Sequence, residues 1–292
     1  ILVIDGGSTD GSREYVEKRA QQEPWVRVID NAVGSAAAAF NLGATEGRGE
    51  IVCLFSSHGV PASDYVSRSV KVMQETGVVG VGGRYLHLGT TPVSRSIGLA
   101  MVSPFGMASG HRMATKRRSV DTISHPAYNR QVLLDVGGFD EELARNSDYE
   151  LNVRIRQAGH ELVFDPSIES IYRPRPTIEA LAKQFWHYGR WKARVAKAHP
   201  RDLKPRHLVA PALVVGAAAT LPAVALGGMA QKAAIAGWAA YAAGCVGATV
   251  HANPGTGDAS LSALFVAFPA MHLSWGAGFV TSTIEDLGKK NQ

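Results

Sequence analysis

The sequence predicts an α/β domain built on a doubly wound sheet, followed by helices apolar enough to cross a membrane. Three observations carry this expectation. Short apolar runs alternate with helical stretches through the first 90 residues, as in a parallel sheet with crossover helices. The first apolar run ends in the polar, Gly-rich turn D-G-G-S-T-D-G-S (residues 5–12). From residue 208 to 284 the only full charges are Lys232 and Asp258, whereas nearly all other charged residues precede His207.

Residues 1–4 (I-L-V-I) read as a strand, 11–22 as a helix, 26–29 as a strand, 36–43 as a helix and 50–55 as a strand. Residues 64–76 then read as a helix and 78–81 as a strand. Opening inside an apolar strand that already ends in a ligand-type turn, the chain suggests that a strand and helix precede it. Residues 82–121 are less regular, long enough for functional loops. Helices are expected over 131–136 and 148–158, with Gly159 as the stop. Residues 162–165, closed by Pro166, read as an edge strand.

From 177 to 199 the periodicity is helical and two-faced. Ile178, Leu181, Phe185, Tyr188 and Val195 form an apolar stripe, and Lys183, His187, Arg190, Arg194 and Lys197 a basic one. With Trp186 and Trp191, and directly before apolar chain, this is the pattern of a helix lying in a lipid interface; it also fits a solvated basic face over an ordinary core stripe. Three apolar stretches follow, 208–228, 233–252 and 261–283. Each has about twenty residues and reaches roughly 30 Å, the hydrocarbon thickness of a bilayer. The third contains Pro269, His272 and Ser274, and two spans or three are both compatible with the sequence. The expected organisation is therefore a domain over 1–176, an interfacial helix over 177–206, a membrane region over 207–284 and a polar tail over 285–292. By the positive-inside rule, the basic residues between 183 and 206 place the domain on the cytoplasmic face of a multi-pass inner-membrane protein.

The formal net charge is +5, and the basic excess gathers between 112 and 118 and between 183 and 206. No nucleic-acid-binding module accompanies these clusters, so lipid or a phosphate-bearing substrate is the expected partner. Two cysteines, Cys53 and Cys245, lie in apolar segments and argue against a disulfide framework or a zinc site.

A carboxylate at the carboxyl end of a parallel strand stands where ligands bind in open α/β sheets, and neighbouring glycines let a ligand approach the backbone. Asp5, Gly6, Gly7, Ser8 and Asp10 have that placement. The same turn also reads as a helix cap, with Ser8 or Asp10 as N-cap. It is not a dinucleotide fingerprint, because the G-x-G-x-x-G spacing is absent.

The segment V-I-D-G-G-S-T-D-G-S resembles the nucleotide-binding turn of family 2 glycosyltransferases. Further segments extend the likeness in order. They are Asn31 with F-N-L-G (40–43), G-E-I-V-C-L-F (49–55), P-A-S-D-Y-V (61–66), V-G-G-F-D-E-E-L (136–143) and N-S-D-Y-E-L-N-V-R-I-R-Q-A-G (146–159). Y-R-P-R, Y-G-R-W-K and F-P-A-M-H-L-S-W-G in the later chain resemble succinoglycan-type exopolysaccharide glycosyltransferases.

The resemblance implies a GT-A-like, Rossmann-type fold and an inverting transfer from a nucleotide diphosphate sugar to a glycan or lipid-linked acceptor in exopolysaccharide or cell-surface polysaccharide synthesis. It implies that Asp5 contacts the base and that Gly6, Gly7, Ser8, Asp10, Asn41, Ser56 and Ser57 line the donor pocket. Asp148 takes the position of the general base, which a weakly nucleophilic sugar hydroxyl requires. A carboxylate at a helix start is also an ordinary cap.

Two departures from the family pattern matter. Ser56 stands where a metal-binding aspartate is expected, which leaves His58 as a ligand for a divalent cation, Mn²⁺ rather than Mg²⁺ by the preference of imidazole. Ser147 stands where glutamate usually precedes the base. Arg112, Lys116, Arg173, Arg175, Arg190 and Trp191 are candidates for covering the donor diphosphate or the acceptor, since arginine and lysine can stabilise a departing diphosphate in place of metal. Ser56 and Ser147 also support a second reading, a catalytically impaired nucleotide-sugar-binding or scaffold subunit of a polysaccharide assembly complex.

Overall fold

Strand β1 (Leu2–Asp5) pairs in parallel with β2 (Arg27–Asp30), in register from Leu2 opposite Arg27 to Asp5 opposite Asp30. Helix α1 (Ser12–Gln22) makes the crossover between them. Gly11, not Ser8 or Asp10, occupies its N-cap, while the Asp10 carboxylate accepts the Ser12 N–H at 3.1 Å. Helix α2 (Ala36–Glu46) starts at Ser35, whose hydroxyl accepts the Ala38 N–H at 3.1 Å, and leads to β3 (Ile51–Cys53). A short β4 (Val60–Pro61), α3 (Tyr65–Thr76) and β5 (Gly80–His87) follow. The computed structural model describes residues 1–56, 59–107, 114–143, 145–255 and 257–290.

In the stretch expected to be irregular, 82–121, most of the described residues lie in helices and strands. Strand β5 runs on to His87, α4 (Pro92–Val102) and α5 (Pro104–Met107) come next, and β6 (Arg118–Ser119) closes it. Helix α4 has a strong local start. Thr91 and Ser94 exchange side-chain and backbone hydrogen bonds in a capping box, with Pro92 in the first turn. Strand β7 (Ala127–Asn129), α6 (Arg130–Asp135), α7 (Ser147–Gln157) and β8 (Leu162–Tyr172) complete the α/β part.

The larger sheet has the order β3-β7-β5-β8-β4, with β6 beside β8. It is mixed rather than parallel throughout, because β7 inserts antiparallel between β3 and β5, with Tyr128 opposite both Val52 and Gly80. Strand β8 corrects a second expectation, since it is eleven residues long, lies inside the sheet and continues through Pro166. Pro166 is tolerated where the pairing changes. Val163 and Phe164 pair with β6, Glu169 accepts the Ala62 N–H beside β4, and the Asp165 carboxylate takes the Ser167 N–H in between.

By contacts the chain forms two units, Ile1–Arg84 with Ala114–Ser170, and Tyr85–Met113 with Ile171–Gln292. The first has two apolar clusters. One holds Val52, Leu54, Tyr128, Leu133, Leu151, Ile155, Leu162 and Phe164; the other holds Tyr65, Val72, Met73, Val81, Ala127 and Ile168.

The second unit contains α4 and α5 with α8 (Ile178–Ala198), α9 (Val209–Leu226), α10 (Gly228–Ala252) and α11 (Leu261–Lys290). Thr177 caps α8 by accepting the Ala180 N–H at 3.2 Å. The core of this unit brings Ile97, Ala100 and Met101 of α4 and Leu181 and Phe185 of α8 against Leu264, Phe268 and Met271 of α11. Among the described residues α9, α10 and α11 are each long and apolar enough to cross a membrane.

Candidate active site

The turn after β1 is organised by its own aspartate. Asp5 accepts the Gly7 N–H at 3.1 Å, the Ser8 N–H at 3.3 Å and the Ser8 hydroxyl at 2.6 Å, and Arg13 lies 3.5 Å away. The Ser8 hydroxyl first, then the two amides and Arg13, hold the Asp5 carboxyl below its ordinary range, so it stays anionic well into acid. Ser12 does the same for Asp10. Arg13 also pairs with Asp30 at the end of β2 and with Glu17.

The turn after β2 lies against this one. Gly34 backbone would be 3.5 Å from a Cβ placed on Gly6. Asn31 fixes that second turn through its side chain, donating to the Ser35 carbonyl at 2.9 Å and accepting the Gly34 N–H at 3.2 Å. Gly6, Gly7, Ser8, Asn31 and Gly34 therefore form one backbone-rich polar edge at the carboxyl ends of β1 and β2. Permissive glycines there let a ligand approach the backbone closely, beside the anchored Asp5 carboxylate.

Asn41 has a different setting. Its amide nitrogen donates to the Phe139 carbonyl at 2.8 Å and to Glu141 at 2.9 Å, and its oxygen accepts the Phe139 N–H at 2.7 Å. Gly138, at φ 67°, is required beneath it, because a Cβ there would meet the Asn41 amide oxygen and would sit in a left-handed backbone. Arg154 of α7 holds the same loop by donating to the Val136 and Gly138 carbonyls, while its guanidinium forks onto buried Glu150 at 2.6 and 2.7 Å. The loop 136–141 is thus clamped from α2 and from α7.

Asp148 lies in the first turn of α7, entered through Asn146 at φ 60°, and its carboxylate accepts the Tyr149 N–H at 2.8 Å. The helix is fixed from below by Asn152. That side chain accepts the Tyr128 hydroxyl at 2.6 Å and donates to Thr122 at 2.8 Å and to the Ile123 carbonyl at 3.2 Å. Asp148 is therefore carried on a rigid element, as a general base needs.

Beyond β3, Ser56 accepts the Gly59 N–H through its carbonyl at 2.9 Å. Ser57 and His58 lie outside the described residues, as does Arg112. His125 borders this turn, with its ring 5.0 Å from that of Phe55 and against Gly59, and Nδ1 2.9 Å from the Ser170 hydroxyl. Its φ of 43° and the hydroxyl of buried Tyr65 on its carbonyl fix the ring there. Nothing in the periodicity of the sequence announces His125, because its neighbours come from 45 to 70 residues away in the chain.

Among the described residues no three His, Cys, Asp or Glu side chains come together as a metal-ligand set. Ser56 offers a neutral hydroxyl where a cation bound to diphosphate would need a carboxylate. Cys53, half-buried on β3, has its thiol pushed up to about 11 by burial, which leaves it protonated and a poor ligand at neutral pH.

Lys116 is exposed in the first unit, whereas Arg173, Arg175, Arg190 and Trp191 belong to the second. Arg175 donates to Gln184 at 3.2 Å. Arg190 forms a bidentate pair with Glu285 at 2.9 and 2.7 Å, and Arg194 stacks over Trp191 at 4.3 Å.

The family model described as glycosyl transferase family 2 matches residues 1–136. Among curated proteins, succinoglycan biosynthesis protein ExoA of Rhizobium meliloti (strain 1021) is 29% identical over 288 residues, 96% of this chain and 84% of that protein. Glycosyltransferase AglE of Haloferax volcanii is 28% identical over 188 residues, 63% of this chain and 60% of that protein. Among solved structures, the fold is similar to that of mannosyltransferase PcManGT from Pyrobaculum calidifontis in complex with GDP-Man and Mn²⁺. The TM-score is 0.66 at 19% identity, covering 97% of this chain and 77% of that one.

Proposed function

We propose that this glycosyltransferase, whose residues 1–136 carry a family 2 domain, moves a sugar from a nucleotide diphosphate sugar to a glycan or lipid-linked acceptor in exopolysaccharide or cell-surface polysaccharide synthesis. The observation that carries the reading is the polar edge built by Asp5, Gly6, Gly7, Ser8 and the Asn31–Gly34 turn. It is a preformed polar edge whose glycines admit close approach beside an anchored carboxylate able to accept the N–H groups of a base, which suits a nucleotide. Similarity to ExoA along 96% of the chain supports the polysaccharide context.

In this reading Asp5 and Asp10 hold the nucleotide. Asp148 accepts the proton of the acceptor hydroxyl as that oxygen attacks the anomeric carbon from the side opposite the diphosphate, and the configuration inverts. Asn41 and Arg154 act on the loop 136–141 rather than on the donor, keeping it in one conformation between α2 and α7. The basic residues Lys116, Arg173 and Arg175 are candidates for the negative charge that develops on the leaving diphosphate. A divalent cation, when bound, would supply the same stabilisation; with Ser56 in the position of the family's metal-binding aspartate, His58 is the candidate ligand. The protein is assigned to the inner membrane, with residues 1–176 on the cytoplasmic face, where nucleotide sugars are made.

A thermal-shift panel of nucleotides and sugar nucleotides, with and without Mn²⁺, tests the donor class and the cation together. A ligand at 100 times its Kd raises stability by about 2.7 kcal/mol, a shift of several degrees. At least one nucleotide diphosphate sugar is expected to stabilise the protein more than its free sugar. No stabilisation by any nucleotide would overturn the reading.

Ser56 and Ser147 favour a second reading, a nucleotide-sugar-binding subunit of an assembly complex that turns over nothing. It predicts the same thermal shifts and no transfer.

A further inference from the structure

Among the described residues the second unit contains three helices long and apolar enough to cross a membrane, and their surroundings differ. Helices α9 and α10 leave large apolar side chains bare. Leu221 and Leu226 are each 80% exposed and Met229 is 87% exposed, and Val215, Ile235, Val246 and Val250 are exposed as well. Helix α11 is covered along more of its length, with Leu264, Ala267, Phe268 and Met271 fully buried and Phe279 and Ser282 nearly so, while Leu261, Val266, Ile284 and Leu287 stay exposed. Its covering comes mainly from α8, which carries charge, and then from α9 and α4.

Helix α8 lies along α11 in parallel. Gly278 admits the Trp186 carbonyl, Gly189 admits the Trp275 carbonyl, Arg190 pairs with Glu285, and Lys197 pairs with Asp286 at 3.2 Å. Near its other end α11 meets α5, where Phe105 packs on Phe268 with centroids 5.4 Å apart. Its His272 donates from Nε2 to the Phe105 carbonyl at 2.8 Å and accepts the Tyr241 hydroxyl at Nδ1 at 2.9 Å.

With Glu179, Lys183, Arg190, Lys192, Arg194 and Lys197, α8 cannot enter hydrocarbon. A helix fastened to it side by side over most of its length shares its environment. By contrast, the 18 residues of α9 carry no charge and reach about 27 Å, and α10 returns over 25 residues with Lys232 alone. The two are joined at Gly227 and Gly228 and tied by Trp238 donating to Thr220 at 2.8 Å. The base of this hairpin meets the rest of the unit, where Ala210 packs on Gly276 and Gly244 on Phe105, and its tip carries the most exposed residues.

We propose that the α9–α10 hairpin is the part inserted in the bilayer, and that α11 is the internal strut of the second unit rather than a third span, so that its carboxyl end lies on the same side of the membrane as α8. The inference rests on the membrane reading given above. Hydrocarbon, rather than a second copy of the chain, is the occupant of the exposed apolar surface, because α9 matches the bilayer thickness and basic residues Arg201, Lys204 and Arg206 precede it at headgroup level.

The test uses the full chain in cells and in inverted membrane vesicles, with Cys53→Ser and Cys245→Ala as background and one added cysteine: Ser67→Cys on α3, Met229→Cys at the hairpin tip, or Gly288→Cys near the end of α11. All three positions are exposed. A membrane-impermeant maleimide is expected to label Met229→Cys from the outside only, and Ser67→Cys and Gly288→Cys from the cytoplasmic side only. Labelling of Gly288→Cys from the same side as Met229→Cys would mean three spans and overturn the proposal. Labelling of all three from one side would mean that the hairpin does not cross, with the same consequence. Alkaline carbonate separates the failure of the underlying reading, since release of the protein as a soluble oligomer would overturn both.

Discussion

Asp5 and Asp148 are the carboxylates on which the proposed transfer depends, and they do different work. Asp5 builds its own turn, accepting two backbone amides and the Ser8 hydroxyl. Removing those acceptors in Asp5→Ala should weaken nucleotide binding at least tenfold, whereas Asp5→Asn keeps an oxygen for the turn and should lose less; titration calorimetry with the best nucleotide from the panel distinguishes them. The placement of Asp5 at the end of a strand was legible in the sequence, whereas the position of Asp148 came from the family likeness. The surroundings of Asn41 were not legible, since its partners Phe139 and Glu141 lie about a hundred residues on. The family likeness assigns Asn41 to the donor pocket, and its amide makes three hydrogen bonds to the loop 136–141. The surroundings of His125 were not legible for the same reason, being supplied by Phe55, Tyr65 and Ser170 rather than by its neighbours in the chain.

Helix α7 shows what holds an element in place. Arg154 neutralises buried Glu150 and binds two carbonyls of the preceding loop, so Arg154→Met should destabilise the protein by about 3 kcal/mol by removing the charge opposite a buried carboxylate, read as a lower midpoint in urea. Strand β8 offers a pH-dependent counterpart. Burial raises the Asp165 carboxyl, but Ser167 and Arg117 outweigh it and hold the group below its usual range. A carboxyl depressed in the folded state contributes stability above its unfolded value near 3.9, and that contribution is lost as pH falls through the lower folded value. Because Arg117 is more than a third exposed, the contribution is about 1 kcal/mol at pH 7. Asp165→Asn retains the oxygen that accepts Ser167 and should remove that increment, leaving a flatter stability curve below about pH 4. Most elements were readable from periodicity and caps. Strand β8 was readable only as far as Asp165, because Pro166 normally ends a strand and only the change of partners around it allows the chain to continue. Helix α4 carried its signal in Thr91, Pro92 and Ser94, but serine at the third position is a weaker mark than the glutamate or glutamine of the usual box.

For the whole molecule, the composition break near residue 207 announced the apolar helices, while the grouping of residues 85–113 with them depended on packing that no local pattern encodes. The α8–α11 pair is the feature most open to test at this scale. Arg190→Glu should weaken the pairing, Glu285→Arg likewise, and the double reversal should recover much of the thermal stability lost by either. A merely exposed charge would show no such recovery. Transfer itself is best tested with membranes containing the full chain, a radiolabelled nucleotide diphosphate sugar chosen from the panel, and the endogenous acceptor, comparing the parent protein with Asp148→Asn. The parent is expected to move label into acceptor, and Asp148→Asn to lower that rate by roughly 10²–10⁴-fold while binding the donor equally well. Equal rates in the two proteins, or no transfer by the parent although the donor binds, would contradict a glycosyl transfer driven by Asp148.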